Sequence, residues 1–127
     1  MTRRISDCGG LYLGAVEEDQ LNAVYNMADI FVMPTRAIEM FGMAAVEAQA
    51  CGKPVVASRH GGLPEVISEK SGRFFPTGDA AGLASQLLFL LEGGELRRSL
   101  GSAARQNAAR FAWPKIVGEL ENIYSEI

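Results

Sequence analysis

Short apolar runs alternate with helical patterns along most of the chain. Four runs have the length of strands and are bounded by glycine or proline. Two of them, residues 30–33 and 55–57, are apolar at every position, which is typical of strands buried on both faces of a parallel sheet. The predicted strands are residues 11–13, 30–33, 55–57 and 72–75.

Helical spacing fills the segments between and after these strands. The pattern predicts a helical turn at residues 65–67, and the last helix would bury Trp113, Val117, Leu120 and Tyr124 on its inner face. Strands that alternate with helices predict a single α/β domain over residues 1–127. We expect a parallel sheet of about four strands, flanked by helices, with a long helical C-terminal part. The predicted helices are residues 18–28, 42–50, 80–91, 95–110 and a last one opening at 113.

The unusual residues of the chain cluster in loops that would follow the strands. Ligands of parallel α/β sheets bind at the carboxyl ends of the strands, so these loops are the expected binding region. A glycine, Gly42, stands where the second helix begins. The backbone N–H groups of Phe41, Gly42 and Met43 would be free there, and the helix N-terminus would suit a diphosphate or a sugar oxygen.

Two carboxylates flank this helix start, Glu39 in the loop and Glu47 in the helix. Glu47 is one helical turn from Met43, so we expect it to share an inward stripe with Met43, Val46 and Ala50. A carboxylate that faces inward must be paired or hydrogen-bonded. A sugar diol would satisfy it, because an ionised carboxylate only accepts hydrogen bonds and a diol offers two donors.

The residues alone leave simpler interpretations open for both glutamates. Glu47 would equally be satisfied by capping a nearby backbone group or by pairing with Lys53 or Arg59. Glu39 would equally be a solvated loop carboxylate. A wider pattern of motifs favours the ligand-binding interpretation.

That pattern resembles the E-x7-E signature region of retaining GT-B glycosyltransferases, the glycosyltransferases group 1 class (family 4). Glu39 and Glu47 have seven residues between them, and further blocks stand before and after them in the family's order. The similarity runs from about Leu11 to Tyr124. The matching blocks are residues 25–34, 51–58, 61–67, 72–76, 78–79 and 111–113.

The resemblance implies a role for each glutamate and for the fold. Glu39 is similar to the first signature glutamate, which contacts hydroxyls of the transferred sugar and positions it at the reaction centre. Glu47 is similar to the glutamate that binds the ribose diol. The fold would be the latter portion of a Rossmann-like GT-B C-terminal, nucleotide-sugar-binding domain. Such a site transfers a hexosyl group from a nucleotide-diphospho-sugar with no metal and no other cofactor, and the donor phosphate helps to deprotonate the acceptor.

The resemblance also implies the remaining donor contacts. Backbone amides of Phe41, Gly42 and Met43 would hold the donor's sugar and phosphates. Ala15 and Val16 fall where family members rest the nucleobase. The glycine turn at residues 61–62 would shape the loop beneath the phosphates rather than contact them.

Two departures from the family pattern shape the functional expectation. The spacing from Pro34 to Glu39 is one residue longer than the commonest form. The chain would also begin inside the C-terminal domain, without the basic residues that neutralise the diphosphate and without an acceptor-binding domain. We therefore expect a glycosyltransferase that is weakly active or inactive in isolation and that self-associates. The alternative is a non-catalytic nucleotide-sugar-binding or assembly module that pairs with a separate chain.

Composition and charge bear on the remaining questions of nucleic-acid binding, localisation, metal binding and membrane contact. The net charge of −3 gives no basic face for nucleic acid. Two cysteines and the absence of an apolar signal region predict a cytoplasmic protein. His60 is the single histidine, so a metal site is not expected. The arginines of residues 97–110 predict a solvated helix face, with contact to an anionic membrane surface as the alternative.

Overall fold

A computed structural model describes residues 7–127, which form a three-layer α/β arrangement. Three parallel strands lie in the order β1 (Phe31–Met33), β2 (Val55–Ser58) and β3 (Gly72–Phe75). Phe31 is opposite Val55, which is in turn opposite Gly72. The α/β class and the parallel sheet are therefore confirmed.

The helices agree with the sequence prediction to within about two residues. A single 3₁₀ turn, Ala109–Phe111, joins the last two of them. No helix among residues 7–127 combines the length and the apolar character needed to cross a bilayer. The helices are α1 (Glu18–Met27), α2 (Met43–Ala50), α3 (Leu63–Val66), α4 (Ala80–Glu92), α5 (Gly94–Ala108) and α6 (Trp113–Ser125).

The prediction of a strand at residues 11–13 is wrong, and the described residues form three strands rather than four. Leu11, Tyr12 and Leu13 lie in coil, with 80%, 63% and 51% of their surfaces exposed. A strand needs a neighbour for its backbone N–H and C=O groups. Within residues 7–127 none pairs with this segment, and β1 itself pairs only with β2.

Alternate side chains of the strands build two apolar clusters, one on each face of the sheet. On one face, Val55 and Ala57 pack against α2 and α3 through Ala45, Ala48 and Leu63. On the other face, the cluster contains Val56, Phe75, Leu90 and Leu100, from β2, β3, α4 and α5. The crossovers through α2 and α3 therefore cover one face, where Tyr25 and Phe111 also pack, and α4 with the first part of α5 covers the other.

The predicted inward stripe of α2 is wrong. Ala45, Ala48 and Gln49 are fully buried, whereas Met43 is 58% exposed and Ala50 is also exposed. The small alanines let α2 approach the sheet closely, and this sets the rotation of the helix. Glu47 consequently sits at the margin of the buried face, half-buried, and Val46 is half-buried as well.

A buried polar network sets the position of α5 against α2. The Asn107 side-chain amide donates to the Gln49 side-chain oxygen at 2.7 Å and to the Val66 carbonyl at 2.8 Å. Gln49 donates to the same carbonyl at 3.3 Å. Satisfied groups of this kind define a single arrangement, because any shift would leave a buried polar atom unpaired.

The expected inner face of α6 is exposed instead of buried. Trp113, Val117, Leu120 and Tyr124 do share one side of the helix, with exposed fractions of 76%, 45%, 47% and 74%. No residue of α6 is buried. The periodicity correctly identified an apolar stripe, but no part of residues 7–127 buries it.

Candidate functional site

The loop between β1 and α2 ends at a glycine whose conformation requires the absence of a side chain. Gly42 has φ of +89°, in the left-handed region that favours glycine. A Cβ at this position would also lie 2.6 Å from the Leu63 side chain. The chain can therefore turn sharply from the loop into α2.

A second pair of glycines, in the loop after β2, holds the first loop in place. The Gly62 N–H donates to the Glu39 carbonyl at 2.8 Å. A Cβ on Gly61 would lie 2.2 Å from the Glu39 carbonyl oxygen, and one on Gly62 would lie 2.1 Å from that of Met40. The two backbones are thus in direct contact. This contact agrees with the expectation that the glycine turn shapes the loop.

The Glu39 carboxylate lies at the start of α2 and is half-buried. Its Oε1 atom accepts a hydrogen bond from the Gly42 N–H at 3.1 Å. The expectation of a free Gly42 amide is therefore wrong, because Glu39 occupies that donor. The Phe41 and Met43 amides have no acceptor among residues 7–127. This is common for the first N–H groups of a helix, which have no partner within the helix.

Glu47 is satisfied by a partner that the sequence analysis did not identify. The Tyr25 hydroxyl donates to Glu47 Oε2 at 2.7 Å. Burial raises the pKa of the Tyr25 hydroxyl well above its usual range, and the hydrogen bond to Glu47 and its negative charge raise it further. The phenol therefore remains a donor at all ordinary pH values.

The cationic partners suggested for Glu47 are engaged elsewhere. Lys53 donates to the Asn26 carbonyl at 3.1 Å, and Arg59 forms an ion pair with Glu69. The alternative in which Glu47 pairs with Lys53 or Arg59 is therefore wrong. Its Oε1 atom has no hydrogen-bond donor in the part of the chain that the structure describes.

Glu47 lines an open groove of about 300 Å³ between α1 and α2. Glu39 is not among the lining residues, so the two glutamates flank the first turns of α2 without sharing one enclosed pocket. The lining residues are Glu18, Leu21, Asn22, Tyr25, Glu47, Ala50 and Cys51.

The other predicted contacts are distributed around this region. The Phe41 and Met43 side chains line a separate apolar groove of about 190 Å³, with Phe111 and Trp113. Phe41 packs edge-on against Phe111, with ring centroids 5.4 Å apart. Ala15 is exposed and Val16 is half-buried in the coil before α1, and neither lines either groove.

Two residues near the loops were missed by the sequence analysis. Tyr25 could not be linked to Glu47 because the pair is 22 positions apart and lies on different helices. Arg36 lines a cleft of about 210 Å³ where the carboxyl ends of β1 and β3 meet the start of α4. The sequence feature that could have indicated Arg36 is its position in a loop that follows a predicted strand. Residues 7–127 contain no group of three or more potential metal-ligating side chains.

Comparison with known proteins identifies the family. A family model described as glycosyl transferases group 1 matches residues 11–107, well over half of the chain. The chain belongs to this family of glycosyltransferases. It is 42% identical over 110 residues to the D-inositol 3-phosphate glycosyltransferase of Saccharomonospora viridis, which spans 86% of this chain. It is 34% identical over 116 residues to sulfoquinovosyl transferase SQD2 of Arabidopsis thaliana, which spans 88% of this chain.

Solved structures show the same fold in GT-B glycosyltransferases. Sucrose-phosphate synthase of Thermosynechococcus elongatus superposes with a TM-score of 0.84 at 34% identity, over 92% of this chain and 30% of that one. HepE of Anabaena, solved with UDP-glucose, gives a TM-score of 0.86 at 26% identity, over 99% of this chain and 36% of that one. The three-stranded sheet with its flanking helices thus corresponds to part of a Rossmann-like GT-B domain.

The chain spans about a quarter of the length of these curated relatives. The shares are 25% for the Saccharomonospora enzyme and 22% for SQD2. The family therefore gives the fold and the class of chemistry.

The contact between the glycine turn and the Glu39 loop makes a direct prediction for Gly62→Ala. The added Cβ meets a backbone oxygen, which cannot move aside as a flexible side chain can. We expect the free energy of unfolding, measured with urea, to fall by about 1–3 kcal/mol. We also expect the Gly42 amide resonance to shift, because its hydrogen bond to Glu39 depends on the loop.

Gly118→Ala is the matched control, since a Cβ there meets nothing within 4 Å. Gly118 lies inside α6, so alanine should leave stability unchanged or raise it by up to about 1 kcal/mol. If Gly62→Ala matched this control in stability and left the Gly42 resonance in place, the two loops would not be held together as described.

Proposed function

We propose that this chain carries the donor-binding part of a retaining hexosyltransferase and holds a nucleotide-diphospho-sugar along the first turns of α2. The observation that carries the proposal is the burial and hydrogen bonding of the Glu47 carboxylate. Its carboxylate is half-buried, has no cationic partner in the described residues, and keeps one oxygen available as an acceptor. A half-buried carboxylate with unused acceptor capacity suits a ligand that offers hydroxyl donors.

The ligand would lie in a defined order along the helix. Glu39 would contact the transferred sugar, and the amides of Phe41, Gly42 and Met43 would hold the sugar and the phosphates, aided by the positive end of the helix. The Gly42 N–H would exchange its bond to Glu39 for one to the donor. The rise of a helix places Glu47 about 6 Å along the axis from Met43, in the direction of the ribose.

The remaining parts of the donor complete this arrangement. The coil at Ala15 and Val16 would carry the nucleobase. In transfer with retention, the bond between the sugar's anomeric carbon and the phosphate oxygen breaks, and the acceptor oxygen bonds to the same face. The acceptor's proton would pass to the departing phosphate, so no metal or other cofactor is needed.

Two sets of relatives support this assignment. HepE of Anabaena has been solved with UDP and with UDP-glucose, and it shares the fold over 99% of this chain in the latter complex. The curated relatives are named as transferases of sugar groups.

Ligand-observed NMR against UDP-glucose, GDP-glucose and ADP-glucose tests the proposal, with Glu47→Gln as the decisive variant. Glutamine keeps an oxygen for the Tyr25 hydroxyl but presents an amide donor where the diol needs an acceptor. We expect one nucleotide sugar to bind and the variant to bind it roughly 10- to 100-fold more weakly, the effect of one charge-assisted hydrogen bond.

Glu92→Gln makes the same change of charge at an exposed position on α4 and should bind like the wild-type chain. Absence of binding by all three nucleotide sugars, or equal affinities for the two variants, would contradict the proposed function.

A second candidate function is an assembly module that pairs with another copy or a separate chain. The exposed apolar stripe of α6 and the edge of β1, which no strand among residues 7–127 pairs with, favour it, because monomeric proteins rarely leave such features uncovered. This role is compatible with donor binding, since Val117, Leu120 and Tyr124 of the stripe line neither of the grooves that contain Glu47, Phe41 and Met43.

Sedimentation velocity across a range of protein concentrations checks this candidate. We expect the wild-type chain to self-associate and Leu120→Glu to shift the population to monomer, because a charge would enter the apolar stripe. Lys115→Gln lowers the net charge by the same amount at an exposed position of α6 and should associate normally. A wild-type chain that remains monomeric at high concentration would exclude the assembly role through self-association.

A further inference from the structure

We propose that Tyr25 is a positioning residue for Glu47, one that determines which carboxylate oxygen faces the ribose of the donor. The inference rests on the proposed function, because it assigns Glu47 to a ribose diol. It goes beyond that function by giving α1, which contributes none of the predicted donor contacts, a defined part in nucleotide selectivity.

The geometry joins two helices that are distant in the sequence. Tyr25 lies in the last turn of α1, Glu47 lies within α2, and the hydroxyl reaches Oε2 at 2.7 Å. This is the length of a strong hydrogen bond to a charged acceptor. It directs the Glu47 side chain across the groove between the two helices rather than into solvent.

The phenol ring is itself held by the core, so its hydroxyl is a fixed point. Tyr25 packs edge-on against Phe31 of β1, with ring centroids 5.6 Å apart and an interplanar angle of 62°. Both rings are half-buried against the apolar cluster that contains Val55 and Ala57. The contact between Tyr25 and Phe31 therefore fixes the Tyr25 hydroxyl relative to the sheet. The hydroxyl in turn orients the Glu47 carboxylate.

The hydrogen bond gives the two carboxylate oxygens of Glu47 different roles. Oε2 accepts from Tyr25, which leaves Oε1 and its lone pairs for the ligand. Within residues 7–127 no cation lies within ion-pair distance of Glu47, so no second charge competes to turn the group. Without the hydroxyl, the flexible glutamate side chain would have to be ordered by the ligand itself.

The protonation state of the phenol supports the arrangement. Burial, followed by the hydrogen bond and the charge of Glu47, raises the pKa of Tyr25. Tyr25 consequently stays protonated and donates to Glu47 Oε2. The carboxylate is thus presented in the same orientation before the ligand arrives.

The variant Tyr25→Phe isolates the hydroxyl, because it keeps the ring and its contact with Phe31. The measurement is the ratio of dissociation constants for a 2′-deoxyribonucleoside diphosphate and its ribose counterpart, with UDP, GDP and ADP as probes. For the nucleotide that binds, we expect the wild-type chain to prefer ribose by about tenfold, the effect of one hydrogen bond to a charged group. We expect Tyr25→Phe to lose most of this preference while its affinity for the 2′-deoxy form is unchanged.

Tyr124→Phe makes the same chemical change at an exposed tyrosine of α6 and should retain the wild-type ratio. If Tyr25→Phe kept the full ribose preference, the positioning role would be wrong and the proposed function would stand. If it weakened both forms equally, Tyr25 would have only a structural role. If the wild-type chain showed no preference for ribose, or bound none of the probes, the assignment of Glu47 to the ribose would fail and the role of Tyr25 with it.

Discussion

The direct contact between the backbones of two loops is the constraint on which the candidate site depends. Gly61 and Gly62 leave no room for a side chain against the carbonyl groups of Glu39 and Met40. The contact joins the carboxyl end of β1 to that of β2 above the sheet. Because the loop then turns through the left-handed Gly42, the direction of α2 and the position of Glu39 follow from the same packing.

Helix α2 connects this loop geometry to the core. Its alanines face the sheet, and Gln49 is fixed by Asn107 and the Val66 carbonyl. Because these contacts fix the rotation of the helix, Glu47 lies at the margin of its buried face. There its carboxylate accepts a hydrogen bond from the Tyr25 hydroxyl. Glu39 and Glu47 are thus positioned by different means, one through a backbone contact and the other through a side chain from α1.

The sequence predicts the local features well because they depend on neighbouring residues. The strands at residues 31–33, 55–58 and 72–75 are bounded by glycine or proline, and the helices follow their apolar spacing. The glycine at the start of α2 was likewise predicted to stand where that helix begins. These features need no knowledge of distant partners.

The features that the sequence did not predict all depend on contacts with distant residues. Residues 11–13 have strand character, but pairing requires a neighbour that the described chain lacks. The rotation of α2 was set by the close approach of Ala45 and Ala48 to the sheet, rather than by the larger apolar side chains of the helix. The bond between Tyr25 and Glu47 joins residues 22 positions apart, so only the fold reveals it.

A crystal structure of the chain with its tightest-binding nucleotide sugar would test the central claim most directly. The account predicts that Glu47 Oε1 contacts a ribose hydroxyl while Oε2 remains bonded to Tyr25, with the diphosphate at the start of α2 and the sugar beside Glu39. A nucleotide bound elsewhere, with the Glu47 carboxylate touching no part of it, would contradict the account.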